Sequence, residues 1–383
     1  MEQYVANTYA RFPLMIERGE GVCVYDENGK KYLDFTSGIG VNSLGYGDKE
    51  WVQAVATQAG QLPHISNLYY TKPMLSVAEK LCKKSGMKKV FFANSGAEAN
   101  EGAIKVARKY GNTKYEGKRN EILTLVNSFH GRTMTTLSAT GQDSFHQDFH
   151  PFPTGFSYAK ANDLEDVFAK VNENTVAIML EIVQGEGGVI ALENDFLKGI
   201  QSLCDEKDIL LIVDEVQTGI GRTGKLFAYE HYGLHPDIVT AAKGLGGGLP
   251  IGAILMNERT EGVLCPGNHG STFGGNPVAC AGANVVLERM TPEFLQEVEA
   301  KGKYLRERLW KMPYVERVDG LGMMLGVQLK DLQGKDIVNA CIPEGALFLT
   351  AKMKLRLLPP LTMSYEELEQ GMDILEKVLT NWK

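Results

Sequence analysis

From about residue 90 the chain repeats one pattern: a short run of apolar, β-branched residues ends in a polar one and gives way to a helical pattern. Val90-Phe91-Phe92-Ala93 leads into Asn94-Ser95-Gly96, and Ala99, Ala103, Ile104, Ala107 and Tyr110 follow at helical spacing. Ile122–Val126 leads to Phe129-His130-Gly131, Val176–Leu180 ends at Glu181, and Leu210–Val213 ends at Asp214-Glu215. Ile238-Val239 leads to Lys243, and Ile251–Met256 reads as one more strand. Runs apolar on both faces that alternate with helices predict an α/β fold with a mostly parallel sheet covered on both sides. Polar residues gathered just beyond the strand ends predict a ligand crevice at the carboxyl edge of that sheet.

This rhythm defines a large domain over residues 46–275. The remainder, 276–383, opens with a long helical pattern (Val278–Met290) and then offers short strands at Leu325–Leu329 and Lys354–Leu358, as a smaller α+β domain would. Residues 1–45 carry a hairpin signal, Tyr25-Asp26-Glu27-Asn28-Gly29-Lys30, and are expected to pack near the smaller domain. The 40 basic residues against 47 acidic ones leave a net charge of -7, the wrong sign for a general binder of nucleic acid or of anionic membranes. No apolar run approaches the roughly 20 residues of a membrane helix, and the first residues lack the pattern of a secretory leader. Six scattered cysteines show neither C-x-x-C nor metal-ligand spacing. Reduced thiols, a cytoplasmic location and no bound metal are the expectation.

Three elements carry chemistry. In Asn94-Ser95-Gly96-Ala97-Glu98-Ala99, Ser95 can cap a helix whose first N–H groups, at Gly96 and Ala97, form a phosphate site at the positive end of the dipole; a plain strand-to-helix turn looks the same. Asp214 closes a buried strand and needs a cation or donors; a protonated pyridine nitrogen is one such partner, a structural salt bridge another. Lys243, among small residues in Ala241–Gly248, can approach a cofactor aldehyde unobstructed, and burial would free its amine for Schiff-base chemistry; alone it reads equally as a solvated loop lysine. Gly219-Ile220-Gly221-Arg222-Thr223-Gly224 matches a dinucleotide fingerprint by letter, but it is offset from its strand and opens no helix, so NAD binding is set aside.

Taken together, Leu211–Gly219, Lys243-Gly244, Asn94–Ala99, Ser128–Arg132, Val183–Gly188 and Gly270–Pro277 resemble the motifs of the class III pyridoxal-phosphate (PLP) aminotransferases, in the same order and over nearly the whole chain. The resemblance implies the aspartate-aminotransferase-like (type I PLP) fold and a homodimer. It implies that Lys243 carries the cofactor and acts as the catalytic base, and that Asp214 pairs with the ring nitrogen. Phe129 and Val216 would flank the ring, with His130 beside it and Gln217 at the ring hydroxyl. Ser95, Gly96 and Ala97 would hold the phosphate, joined by Thr272 of a neighbouring subunit. Arg132 would bind the substrate α-carboxylate, and Arg356, with Glu186 as its parking partner, the carboxylate of glutamate that sits nearer the reacting amine. Ser271 belongs with these substrate-binding residues.

Within the class the chain is most similar to the branch that acts on N-acetylornithine. That implies transfer of the terminal amino group of N2-acetyl-L-ornithine to 2-oxoglutarate, giving N-acetylglutamate 5-semialdehyde and L-glutamate in arginine biosynthesis. Ornithine, succinylornithine and 4-aminobutyrate are alternative donors; an aminomutase or decarboxylase has less need of Glu186 and Arg356. The chain departs from the family at Gly45–Glu50, where members commonly show Gly-His-x-His-Pro, and at Ile182, where most have proline. Only local packing changes are expected there. Ile39 and Phe12 stand where ornithine aminotransferases carry tyrosine, which favours an acetylated donor; the bland alternative is that both are core residues.

Overall fold

The computed structural model describes residues 4–382. At its centre is a seven-stranded sheet in the order Lys89–Ala93, Gly252–Met256, Ile238–Ala241, Leu210–Asp214, Thr175–Leu180, Glu121–Leu125 and Phe156–Ala159. Neighbours pair in parallel among the last five strands, whereas Gly252–Met256 runs antiparallel to both of its neighbours. Every residue of Thr175–Leu180 and Leu210–Asp214 is buried, which is why these strands read as unbroken apolar runs. The edge strand Phe156–Ala159 is mostly half-buried and includes Ser157, so it gave no such run. The six strands of common direction all end at one edge, and the loops leaving that edge carry Ser95, Phe129, Glu181, Asp214 and Lys243.

The hairpin expected near residue 28 forms: Cys23–Asp26 and Lys31–Asp34 pair antiparallel. Asp26 Oδ1 accepts from the N–H groups of Asn28 and Lys30, both at 2.9 Å, and Gly29 takes the left-handed conformation the turn requires, at φ 79°. Lys31–Asp34 pairs in turn with Ala346–Leu347, joining the N-terminal strands to the C-terminal part of the chain. That part holds a four-stranded antiparallel sheet, Val315–Leu321, Met324–Leu329, Lys354–Leu357 and Leu349–Ala351. Helix Pro277–Arg289 instead lies against helices Lys49–Gln61 and Lys72–Ser85.

The Gly219–Gly224 segment is a run of turns with no helix start. Its Arg222 is buried, and Nη1 donates to the carbonyls of Met323 at 3.1 Å and Pro359 at 2.5 Å, so it ties the large sheet's loops to the C-terminal sheet. Ile39 and Phe12 are not core residues: they are 42% and 41% exposed.

Candidate active site

The loops at the carboxyl edge enclose a cavity of about 410 Å³, inside the range of roughly 300–1,000 Å³ that small-molecule sites occupy. Asp214 forms its floor. Oδ2 accepts from Asn100 Nδ2 and from His130 Nδ1, both at 2.7 Å, and Oδ1 accepts from the Val216 N–H at 3.0 Å. Asn100 is fixed in turn: its Nδ2 also donates to the His130 carbonyl at 2.7 Å, and its Oδ1 accepts from Thr240 Oγ1 at 2.7 Å. Burial works against a charged ring at His130, but the hydrogen bond and charge of Asp214 outweigh it and hold its pKa above the usual value.

Ser95 caps helix Gly96–Lys114, its side chain accepting from the Glu98 N–H at 3.2 Å. The N–H groups of Gly96 and Ala97 therefore begin a 19-residue helix at the cavity wall, where an anion is favoured. A side chain at position 96 would come within 2.6 Å of Val216 Cγ1, so glycine is what lets the helix end and the Val216 loop meet. Lys243 follows strand Ile238–Ala241 at φ 42°, a strained conformation of the kind functional sites retain. Desolvation brings its pKa down to about 8, helped by the charge of Arg356 and opposed by the carboxylates of Glu186, Asp214 and Glu181. A free amine is thus accessible near neutral pH.

Phe129 lines the cavity, its N–H donating to Glu181 Oε1 at 2.9 Å, while Oε2 of the same carboxyl accepts from the Gly185 N–H at 3.3 Å. Burial, with the nearby charge of Asp214, pushes Glu181 up to about 7 against the pull of His130. Arg132 stands at the mouth with its guanidinium over the ring of Phe145. At the other side Arg356, brought in by strand Lys354–Leu357, is 3% exposed. Its Nη1 donates to Glu186 Oε1 at 2.6 Å and reaches Gln217 Oε1 at 3.4 Å. Although burial pushes Glu186 up, the charge of Arg356 wins and holds it below the usual carboxylate range.

The structure thus gathers ten of the residues singled out in the sequence (Ser95, Gly96, Ala97, Phe129, His130, Arg132, Asp214, Val216, Gln217 and Lys243) on one cavity. The Glu186–Arg356 pair adjoins it through Gln217. Ser271 and Thr272 do not line it; Ser271 Oγ accepts from Asn94 Nδ2 at 3.0 Å, and Thr272 is exposed. Sequence reasoning missed Asn100, Thr240 and Phe145 and gave Glu181 no role. Among the described residues no group of three His, Cys, Asp or Glu side chains is placed to hold a metal ion, and no helix is long and apolar enough to cross a membrane.

A buried carboxylate held by fixed donors, an amine with a lowered pKa and a helix start facing one cavity suit a flat, anionic, aldehyde-bearing molecule. The family profile "Aminotransferase class-III" matches residues 4–379, and the chain belongs to that family. It is 55% identical over 379 residues to the acetylornithine aminotransferase of Haemophilus ducreyi, covering 98% of this chain and 96% of that one. It is 46% identical over 389 residues to the acetylornithine aminotransferase of Methanocaldococcus jannaschii, covering 100% and 97%. Among solved structures, the N-acetylornithine aminotransferase of Stenotrophomonas maltophilia matches with a TM-score of 0.85 at 37% identity, covering 97% of each chain. The ornithine aminotransferase of Toxoplasma gondii matches with a TM-score of 0.93 at 32% identity, covering 99% of this chain and 93% of that one.

Proposed function

We propose that this chain is a PLP-dependent aminotransferase that moves the terminal amino group of N2-acetyl-L-ornithine to 2-oxoglutarate. The observation that carries the reading is the buried Arg356 held by Glu186 at 2.6 Å beside the cavity. A carboxylate-binding guanidinium that is masked by an internal carboxylate suits a site that must accept one donor with a second carboxylate, glutamate, and another without. The names of the relatives at 42–55% identity support the same donor. Reaction of N-acetylornithine and 2-oxoglutarate yields N-acetylglutamate 5-semialdehyde and glutamate, a step in making arginine.

The residues fit the cofactor. Ser95, Gly96 and Ala97 would hold the phosphate, Asp214 the ring nitrogen and Gln217 the ring hydroxyl, Phe129 and Val216 would flank the ring, and His130 braces Asp214. When bound, PLP supplies an electron sink for the amine-bearing carbon of the donor. Lys243 Nζ anchors it and takes the proton from that carbon. Arg132 orients the donor through the carboxylate remote from the reacting amine, the α-carboxylate of N-acetylornithine or the side-chain carboxylate of glutamate, with Ser271 near by, and Glu186 releases Arg356 when glutamate enters.

The site is completed by a second copy of the chain, whose Thr272 reaches the phosphate. Supporting this, Leu68, Tyr69, Tyr70 and Phe273 are 87%, 62%, 86% and 59% exposed, an apolar surface of the kind that a partner covers. Asn67 Nδ2 fastens this surface to the Thr272 segment through the carbonyls of Ser271 and Gly274, at 3.0 and 2.8 Å. Six free thiols suit the reducing cytoplasm.

The test is a half-reaction titration. The yellow holoenzyme is mixed in turn with N-acetylornithine, ornithine, 4-aminobutyrate and glutamate, following loss of the cofactor absorbance. Rapid bleaching by N-acetylornithine and glutamate alone is expected. Faster bleaching by ornithine or 4-aminobutyrate would replace the donor, and no bleaching by any amine would overturn the enzyme class.

A further inference from the structure

The two arginines of the site are held by different chemistry. Arg356 is buried and paired with the Glu186 carboxylate at 2.6 Å. Arg132 makes no ion pair and no hydrogen bond among the described residues. Instead its Cζ lies 3.9 Å from the centre of the Phe145 ring and 5.3 Å from that of Phe129. Phe145 sits in the short turn Asp143–Phe145, and its ring meets that of Phe129 edge-on, 5.9 Å apart at 82°. An aromatic face attracts a guanidinium without occupying any of its N–H groups. A carboxylate partner in the same place would compete with the substrate.

We infer that Phe145 is the positioning residue for Arg132: its ring fixes the guanidinium at the mouth of the pocket with all its donors free, so that this arginine is always ready for a carboxylate while Arg356 is ready only on demand. The inference rests on the reading that Arg132 takes the donor's carboxylate remote from the reacting amine, and it adds a determinant of specificity that lies outside the wall of the cavity itself. It also predicts an asymmetry. Loss of the ring weakens every donor with a carboxylate remote from its reacting amine to a similar degree, acetylated or not. Loss of Arg356 separates them.

The experiment compares half-reaction rates of Phe145→Leu holoenzyme with three donors: N-acetylornithine, glutamate and pentylamine, which has no carboxylate. The loss in rate constant over apparent dissociation constant is expected to be roughly 2- to 30-fold greater for the two carboxylate donors than for pentylamine, the range a cation–π contact spans. It should appear in the dissociation constant rather than in the limiting rate, and Phe145→Tyr, which keeps the ring, should restore it. Equal losses for all three donors would mean that Phe145 only supports Phe129 and would overturn the inference. If Phe145→Leu is poorly folded, Phe145→Met is read in the same way. Arg132→Ala separates the two layers. An unchanged dissociation constant for N-acetylornithine in that variant overturns both the reading of Arg132 and the inference, whereas weakened binding there with equal losses in Phe145→Leu overturns the inference alone.

Discussion

Asp214 on the floor of the cavity and Arg356 on its rim are both charged side chains at 3% exposure, yet their partners differ in kind. Asp214 is held by three donors fixed in the fold, the Asn100 amide, the His130 ring and the Val216 N–H, of which Asn100 sits on a 19-residue helix and is itself locked by Thr240. Arg356 depends chiefly on one carboxylate, Glu186, whose side chain is 28% exposed. A charge satisfied by several fixed donors is preorganised and costs no rearrangement during the reaction. A charge satisfied by one countercharge can change partners when a ligand brings a better one. On the proposed function, the floor would serve chemistry that is the same for every donor, and the rim the choice among donors.

Substitutions on the floor should therefore damage all donors alike. The largest effect is expected for Lys243→Ala: transamination should fall by roughly 10²–10⁴-fold, the usual contribution of a general base, and more where anchoring is lost as well. Single-turnover bleaching with both donors would measure it. Asn100→Ala removes one of the donors to Asp214 and leaves Thr240 Oγ1 only the longer contact to Asp214 Oδ1 at 3.5 Å. The rate with N-acetylornithine and with glutamate should drop together by roughly 10- to 100-fold, as for loss of a hydrogen bond to a charged group, with unchanged preference between them. A changed preference would break the division between floor and rim.

The two regions are still coupled through charge. Because the pKa of Lys243 is brought to about 8 by desolvation first and by Arg356 second, recombination of apoenzyme with PLP needs the neutral amine. Its rate should rise about tenfold per pH unit below that value and level off above it. In Arg356→Ala, loss of a cation that disfavours protonation raises the pKa, and the midpoint should move to higher pH. A midpoint that stays in place would show that the rim charge is not felt at the floor.

The sequence made the floor legible because its residues follow strand ends. Leu210–Val213 delivers Asp214 and Ile238–Ala241 delivers Lys243 to one edge, and chain order alone suffices to say so. The direction of Gly252–Met256 was not legible, since an apolar run looks the same in a parallel and an antiparallel neighbour. Asn100 was hidden for another reason: whether a polar residue on a helix faces solvent or a buried carboxylate depends on which strand lies beneath it. Phe145 had no signal at all, because its role comes from a turn folding back over Arg132. Thr272 lies away from this chain's own cavity, as a residue offered to a neighbouring subunit would.

The smallest effect concerns Glu215, next to Asp214 in sequence but turned away from the chemistry. It is fully buried, its Oε1 accepts from the Tyr229 N–H at 2.9 Å, and burial pushes it up to about 7. The folded pKa lies above the ordinary 4.5, so the folded state binds this proton more tightly, and stability falls as pH rises between those values. The contribution is at most roughly 3 kcal/mol. Glu215→Gln should flatten the dependence of Tm on pH between 5 and 7 without altering donor preference.

The contrast between floor and rim is tested most directly by Arg356→Ala holoenzyme, titrated with N-acetylornithine and with glutamate. Bleaching by glutamate should be weakened by roughly 10-fold or more, the cost of a lost charge-assisted hydrogen bond, while bleaching by N-acetylornithine is retained. If the two donors lose equally, Arg356 belongs to the floor, and the account of a site that masks and unmasks one arginine is wrong.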